Sequence, residues 1–319
     1  MELRQDVRPA CGRLAPSPTG GLHLGHARSF LIAWLASRRD GGTVVMRIED
    51  LDSSRARPEA AAAALVDLKW LGLDWDEGPD VGGPRGPYVQ SRRSAIYDEA
   101  LARLKAADLV YPCTCTRADV ERAASAPHAE DEGPTYPGVC AGRSASDALA
   151  LGDRPFGWRF RVPKRLVEWD DLVLGPRVLD PSRSGGDFLV GRNGRGVSYQ
   201  LAVTVDDALM GVARVVRGDD LVASTPRQIL LYRALGWTPP RFGHVPLAIG
   251  PDGRRLAKRD DSIKLATLRE RGVDPRRLIG ELARSLGLAR ARVASSPVDW
   301  IDAFDLAKLP RQPWTAPRF

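Results

Sequence analysis

A chain of 319 residues is too long for one minimal core and long enough for two modest domains, or for one domain carrying an insertion. Its 43% hydrophobic content is ordinary for a globular protein, no uncharged apolar run nears the roughly 18–20 residues of a membrane span, and the opening MELRQDVRPACG has no signal-peptide core, so membrane and secreted classes are set aside and a cytoplasmic monomer is expected. The +7 formal charge fits a polyanionic partner such as nucleic acid or nucleotide, although abundant Arg alongside abundant Ala fits plain solubility equally well.

In chain order, RLAPSPTGGLHLGHARSF raises the first chemical question, because two prolines, three glycines and two histidines crowd the mouth of an apolar helix. LHLGHARSFLIAWLASRR predicts a helix with Leu24, Phe30, Leu31, Trp34 and Leu35 largely on one face, stopped by Gly41 and Gly42. TVVMRIED reads as a buried strand, so strand, turn, helix and strand form a βαβ unit of a parallel sheet. RPEAAAAALVDLKWLGL and SAIYDEALARLKAADLV read as helices, with the Gly/Pro loop DEGPDVGGPRGPYVQS between them. From 111 to 155 cysteines, prolines and acids replace helical periodicity, as in an inserted subdomain. After it WRFRV, VEWDDLVLG, DFLVGR and YQLAVTVDD read as strands. ARVVRGDDL and TPRQILLYRALG give strand, loop and helix, with Thr225 as N-cap and Pro226 at the first helical position. HVPLAIGPDGRRLAKRDDSIKL is a strand entering a basic loop, and the remainder is helical and Arg-rich. The expected division is 1–110, 111–155, 156–262 and 263–319.

A helix start carries unpaired N–H groups and partial positive charge, which hold phosphate, and Gly20, Gly21 and Gly25 allow close backbone approach. His23 and His26, three apart, can donate to phosphate oxygens, although two histidines there can also be mere caps. Lys258, between Arg255 and Arg259, can reach the β- and γ-phosphates of a nucleotide held at that helix. Two phosphate-seeking elements, each following a strand of one parallel sheet, outweigh the reading of each as a solvated surface. Arg13 and Arg217 offer forked recognition of carboxylates, and Glu49 at a strand end suits an ammonium group.

Three of the four cysteines, Cys113, Cys115 and Cys140, lie in the insertion, while Cys11 stands apart. This spacing fits a metal knuckle better than a disulfide framework. Three thiols leave one tetrahedral position, for which His128 is the chemically obvious candidate.

HLGH resembles the HIGH signature, and RLAKR the KMSKS loop, of class I aminoacyl-tRNA synthetases. RLAPSPTGGLHLGH, MRIEDLDSSR, YQLAVTVDDALMGVARVVRGDDL and STPRQILLYRALGW are similar to the glutamyl-tRNA synthetase catalytic domain, over about 12–265. The resemblance implies a Rossmann-like α/β catalytic domain, its first half bearing the HIGH-like motif and its second the KMSKS-like loop. It implies ATP bound by His23, Gly25, His26 and Lys258 with Mg²⁺ on the phosphates, His23, His26 and Lys258 being catalytic. L-Glutamate would be held by Arg13, Leu14, Ala15, Pro16, Ser17, Glu49, Tyr199 and Arg217. A structural Zn²⁺ would be bound by Cys113, Cys115, Tyr136 and Cys140, with Tyr136 in place of His128. The loop departs from the signature at Arg255 and at Ala257, which lacks the signature hydroxyl.

Only some sixty residues follow Lys258, too few for the helical anticodon-binding region of a full glutamyl-tRNA synthetase. The chain, including its ending VDWIDAFDLAKLPRQPW, more closely resembles the short glutamyl-Q tRNA(Asp) synthetase family, which attaches glutamate to queuosine at the wobble position of tRNA(Asp). Two other readings stand beside it: a truncated glutamyl-tRNA synthetase charging a tRNA 3′ end, and a catalytically silent RNA-binding paralogue.

Overall fold

The computed structural model describes residues 10–52, 54–123, 135–250, 252–254, 256, 264–291 and 293–317. Strand β1 (Gly12–Leu14), helix α1 (Leu24–Arg38) and strand β2 (Val44–Met46) form the expected βαβ unit, with β1 and β2 parallel and Leu14 opposite Met46. Helix α1 is not merely amphipathic: every residue from Leu31 to Ser37 is buried. The reading of one apolar face is therefore too narrow, because this helix is covered on more than its sheet side. Helices α2 (Pro58–Trp70) and α3 (Ser94–Ala106) follow where the sequence puts them, Pro58 opening the first of them.

Strand β3 (Val110–Cys113) leads into the cysteine-bearing region and its short helix α4 (Arg117–Ala123). It pairs antiparallel with β4 (Gly157–Phe160), Cys113 opposite Gly157. Strands β5 (Val167–Asp171) and β6 (Gly175–Leu179) make a hairpin, and β7 (Phe188–Arg192) pairs antiparallel with β4. The cysteine region is thus stitched to the rest by a three-stranded β3–β4–β7 sheet.

The segment YQLAVTVDD is a helix, α5 (Tyr199–Leu209), not the expected strand. Its β-branched residues favour a strand locally, but burial of Leu201, Ala202 and Val205 and anchoring of arginines by Asp206 and Asp207 override that preference. Strand β8 (Arg214–Gly218) follows, and then helix α6 (Ser224–Ala234), which starts earlier than expected: Ala223 is the N-cap, with helical φ and ψ of −66° and −21°. Thr225 does not cap it, because its hydroxyl accepts a hydrogen bond from Arg217 instead, and Pro226 sits inside the first turn. Strand β9 (Arg241–Val245) runs parallel to β8 with Arg217 opposite His244, and a two-residue strand β10 (Ala248–Ile249) follows. Helices α7 (Leu265–Glu270) and α8 (Pro275–Ser285) are followed by 3-10 turns at Pro297–Trp300 and Leu306–Lys308, and β11 (Trp314–Thr315) pairs in parallel with β10.

The two parallel pairs meet where the N–H groups of Ala213 and Arg214 bond to the Cys11 carbonyl, at 2.9 and 3.2 Å. Alternation along the strands then sorts the core. Leu14, Val44, Met46, Val216 and Val245 pack into one apolar cluster with α1. Val45, Val215 and Phe242 pack into a second with α3 and α5. Side chains of neighbouring strand residues point to opposite faces, so the two clusters cover the two faces of one parallel layer. Among the described residues, no helix is long and apolar enough to cross a membrane.

Candidate active site

His23 is the N-cap of α1, with extended backbone angles of −124° and 172°. Its Nδ1 accepts the Gly25 N–H at 3.1 Å, and Nδ1 of His26 accepts the His23 N–H at 3.2 Å, a reciprocal cap that quiets two orphan donors. The rings stack with centroids 3.7 Å apart. Because each Nδ1 accepts, each neutral ring carries its proton on Nε2, leaving that N–H as its donor. At Gly25 a Cβ would lie 3.0 Å from Cε1 of His23 and 3.2 Å from Cβ of Ala248, so glycine allows β10 to approach the helix start. Both flanks of the basic loop return here. Leu256 N–H bonds to the Ala248 carbonyl at 3.3 Å, Lys264 bridges to His23, and Leu265 N–H bonds to the Leu22 carbonyl at 2.9 Å. Lys258, Arg255, Ala257 and Arg259 lie outside the described residues.

At the ends of β1, β2 and β8 sits a buried charge network. Arg47, fully buried, donates to Glu49 at 2.8 Å and to Asp207 at 2.7 Å. Nε of Arg13 lies 3.3 Å from the same Asp207, and its Nη1 is 3.4 Å from the Val216 carbonyl on β8. Asp206 accepts from Arg93 at 2.6 Å, Gln90 at 2.7 Å and Tyr97 at 2.9 Å. Burial disfavours the Arg47 cation, but Asp207, Glu49 and Asp206 outweigh it and hold its pKa well above the ordinary value. Burial raises the Glu49 carboxyl, opposed by Arg47 and Arg13. Arg47, Asp206 and Asp207 were not singled out from the sequence, although MRIED and TVDD carry them as charges inside apolar runs, which is the signal that finds such residues.

Arg217 leaves β8 into a second set of partners. Its Nη1 donates to Gln228 and its Nη2 to Thr225, both at 2.8 Å, and its Nε donates to Nε2 of His244 at 3.1 Å. Nδ1 of His244 lies 2.5 Å from Asp171. Tyr199, exposed at the start of α5, is in electrostatic reach of Arg217, Glu49 and Arg13. Arg13, Glu49 and Arg217 thus all lie within electrostatic reach of Tyr199 at the strand ends, with Asp207 as well as Glu49 among the carboxylates there. Leu14 and Pro16 are buried along the same β1 exit, with Ala15 half-buried and Ser17 exposed.

The sulfur atoms of Cys113, Cys115 and Cys140 lie within 4.8 Å of one another, a set that can hold a metal ion. The Tyr136 hydroxyl is 3.4 Å from Sγ of Cys113 and accepts the Cys140 N–H at 2.8 Å. Burial pushes the Cys115 thiol up to about 11. For Cys140 burial is outweighed by hydrogen bonds from the Thr114 backbone, Tyr136 and Cys115, which bring it to about 7. His128 lies outside the described residues. In the Arg-rich helices near the end of the chain, Arg269 pairs with Asp67 at 3.2 Å and Arg284 with Glu281 at 2.5 Å.

A parallel α/β layer with a capped helix start, the flanks of a basic segment returning to it, and a buried charge network at the strand ends is the layout of a nucleotide-activating synthetase core. Residues 10–312 match the model of the family described as tRNA synthetases class I (E and Q), catalytic domain, and the chain belongs to that family. Within it, the chain is 52% identical over 311 residues to a glutamyl-Q tRNA(Asp) synthetase of Symbiobacterium thermophilum, covering 96% of each chain. It is 43% identical to glutamate–tRNA ligase 2 of Nitrosococcus oceani, covering 94% of this chain and 64% of that one. The crystal structure of a glutamate tRNA ligase from Elizabethkingia meningosepticum, in complex with its amino acid, superposes with a TM-score of 0.83 at 29% identity. That likeness covers 95% of this chain and 66% of the ligase.

Proposed function

We propose that the chain is a ligase that activates L-glutamate with ATP and transfers it to the queuosine base in the anticodon of tRNA(Asp). The observation that carries this reading is that Arg13, Glu49 and Arg217 lie within electrostatic reach of Tyr199, in a chain whose first helix opens on the histidine cap. An amino acid with a second carboxylate needs two cationic forks and one acid for its ammonium, and the pocket offers that set. The close resemblance to glutamyl-Q tRNA(Asp) synthetases over nearly their whole length supports the acceptor.

In the first step a carboxylate oxygen of glutamate attacks the α-phosphorus of ATP. The new O–P bond forms as the bond to the bridging oxygen of pyrophosphate breaks, giving glutamyl-adenylate. The Nε2–H donors of His23 and His26 strengthen as charge grows at the α-phosphate, and Gly25 keeps the helix start open to it. Lys258 steadies the departing pyrophosphate. Arg13 and Arg217 hold the carboxylates, Glu49 takes the ammonium, Tyr199 closes the pocket edge, and the stretch through Leu14, Ala15, Pro16 and Ser17 shapes its floor. Magnesium travels with ATP as part of the substrate. In the second step a hydroxyl of the queuosine cyclopentene diol attacks the activated carbonyl and AMP leaves. Positioning is the principal resource for that step.

On this reading residues 111–155 form an insertion between two catalytic halves, 1–110 and 156–262, with a helical region at 263–319. Three thiolates and the Tyr136 oxygen suit Zn²⁺, which would cross-link the insertion without touching the reacting atoms. The test is glutamate-dependent ATP–pyrophosphate exchange without tRNA. Exchange at a rate typical of the family supports the reading, and no exchange with any amino acid would favour a silent RNA-binding paralogue.

A further inference from the structure

We infer that the cavity between the cysteine cluster and the β3–β4–β7 sheet is the bay for the RNA strand bearing the acceptor base, with Arg192 and Arg195 holding its phosphates. The inference rests on the RNA acceptor proposed above and adds where that RNA lies.

The cavity has a volume of about 780 Å³, and its charged lining is lopsided: Arg117, Arg159, Arg192, Arg195 and Arg227 stand against Asp187 alone. That acid is already engaged, its carboxylate accepting the Tyr111 hydroxyl at 2.6 Å and the Val162 N–H at 2.8 Å. Arg159 is tied back over the Tyr136 ring at 3.7 Å and to the Asp187 carbonyl at 2.7 Å, so it builds the wall. Arg192 and Arg195 differ. Both are exposed, and among the described residues neither has an acidic partner. Their turn is closed by backbone hydrogen bonds: Arg195 N–H bonds to the Arg192 carbonyl at 3.1 Å and Arg192 N–H to the Gly196 carbonyl at 2.9 Å. Gly194 and Gly196 supply the positive φ, 66° and 81°, that closes it. Two permanent cations held on one tight turn at a cavity mouth match successive phosphates of a strand better than a single small anion. Phe156 and Phe188, largely buried in the core behind it, line the cavity on its apolar side.

The cavity also adjoins the amino-acid pocket. Gln200, next to Tyr199, lines it, and its Oε1 accepts from Gln228 at 3.0 Å, whose own Oε1 accepts from Arg217 at 2.8 Å. Two hydrogen bonds separate the cavity wall from the guanidinium proposed to hold glutamate. A nucleoside in this bay would stand next to the activated carboxyl it must reach.

The experiment compares the full chain with the R192Q/R195Q variant, using queuosine-bearing tRNA(Asp) as the probe, by filter binding from 50 to 200 mM salt and by glutamate transfer. Exchange of ATP and pyrophosphate without RNA, unchanged in the variant, establishes that it folds and activates glutamate. The inference expects the Kd for tRNA to rise about tenfold, the salt slope to fall by about 1.4, as for two single-strand phosphate contacts, and transfer to fall in step. Wild-type transfer with an unaltered Kd and slope in the variant would overturn the bay and leave the acceptor reading intact. Weakened binding in the variant, with no transfer by the wild type, would keep the bay and overturn the acceptor reading.

Discussion

Nε of Arg217 donates to Nε2 of His244 across adjacent parallel strands, at 3.1 Å, both side chains being buried. The bond requires a ring protonated on Nδ1 alone, and Asp171, 2.5 Å away, holds that proton in place. Asp171 enters from the β5–β6 hairpin, so the aim of a pocket arginine depends on a remote segment. Replacing His244 with Phe keeps the ring volume and leaves the guanidinium Nε unsatisfied. KM for glutamate should rise about tenfold, with a smaller change in kcat, the pattern of lost ground-state binding. Steady-state exchange kinetics read both, and an unchanged KM would detach His244 from substrate binding.

The same pair makes stability depend on pH. Burial lowers the His244 pKa below its ordinary 6.5, opposed by its bond to Asp171. For Asp171 burial is outweighed by His244 and by the Leu174 and Val173 N–H groups, which bring it from 3.8 to about 2. Both folded values lie below the unfolded ones, so on acidification the unfolded chain binds more protons. The pair's contribution is complete above the unfolded histidine value and declines as pH falls, first through His244 and then through Asp171. Urea midpoints should drop between pH 7.5 and 5, and less steeply in His244→Phe. Equal slopes in the two proteins would contradict this assignment.

Asp206 is a hub for Arg93, Gln90 and Tyr97 with no solvent to replace it. Asp206→Ala strands a buried guanidinium, which costs about 3–5 kcal/mol. Urea unfolding should show that loss, and a change below about 1 kcal/mol would mean the site relaxes or admits water.

Lys258→Ala should depress kcat for adenylate formation more than it weakens glutamate binding. Negative charge shifts onto pyrophosphate only as the bond breaks, and losing one such electrostatic donor costs about 3 kcal/mol, roughly a hundredfold. Pyrophosphate exchange measures it, and wild-type kinetics would remove Lys258 from the mechanism.

Purified protein should carry about one equivalent of zinc. Cys140→Ser should lose it and become protease-sensitive between 111 and 155, as should the wild type after chelation. Full zinc in Tyr136→Phe together with loss in His128→Ala would reassign the fourth ligand.

Local signals revealed the βαβ entry, the glycine-rich helix start and the cysteine knuckle because each depends on near neighbours in sequence. The parallel pairing of β1 with β2 and the cap by His23 follow from residues within one unit. What escaped depends on distant contacts. Val203, Thr204 and Val205 favour a strand until Asp206 and Asp207 are needed as ligands for arginines more than a hundred residues away. Thr225 reads as a cap until Arg217 takes its hydroxyl, and the link from Asp171 through His244 to Arg217 has no marker in any single segment.

Labelled-glutamate transfer to matched tRNA(Asp) with and without queuosine separates a queuosine acceptor from a tRNA 3′ end. Label should enter only the queuosine-bearing tRNA, and periodate cleavage of the cyclopentene diol should abolish it. Efficient glutamylation of an unmodified tRNA(Glu) transcript, with none on queuosine-bearing tRNA(Asp), would contradict the account and make the chain an ordinary charging enzyme for a tRNA 3′ end.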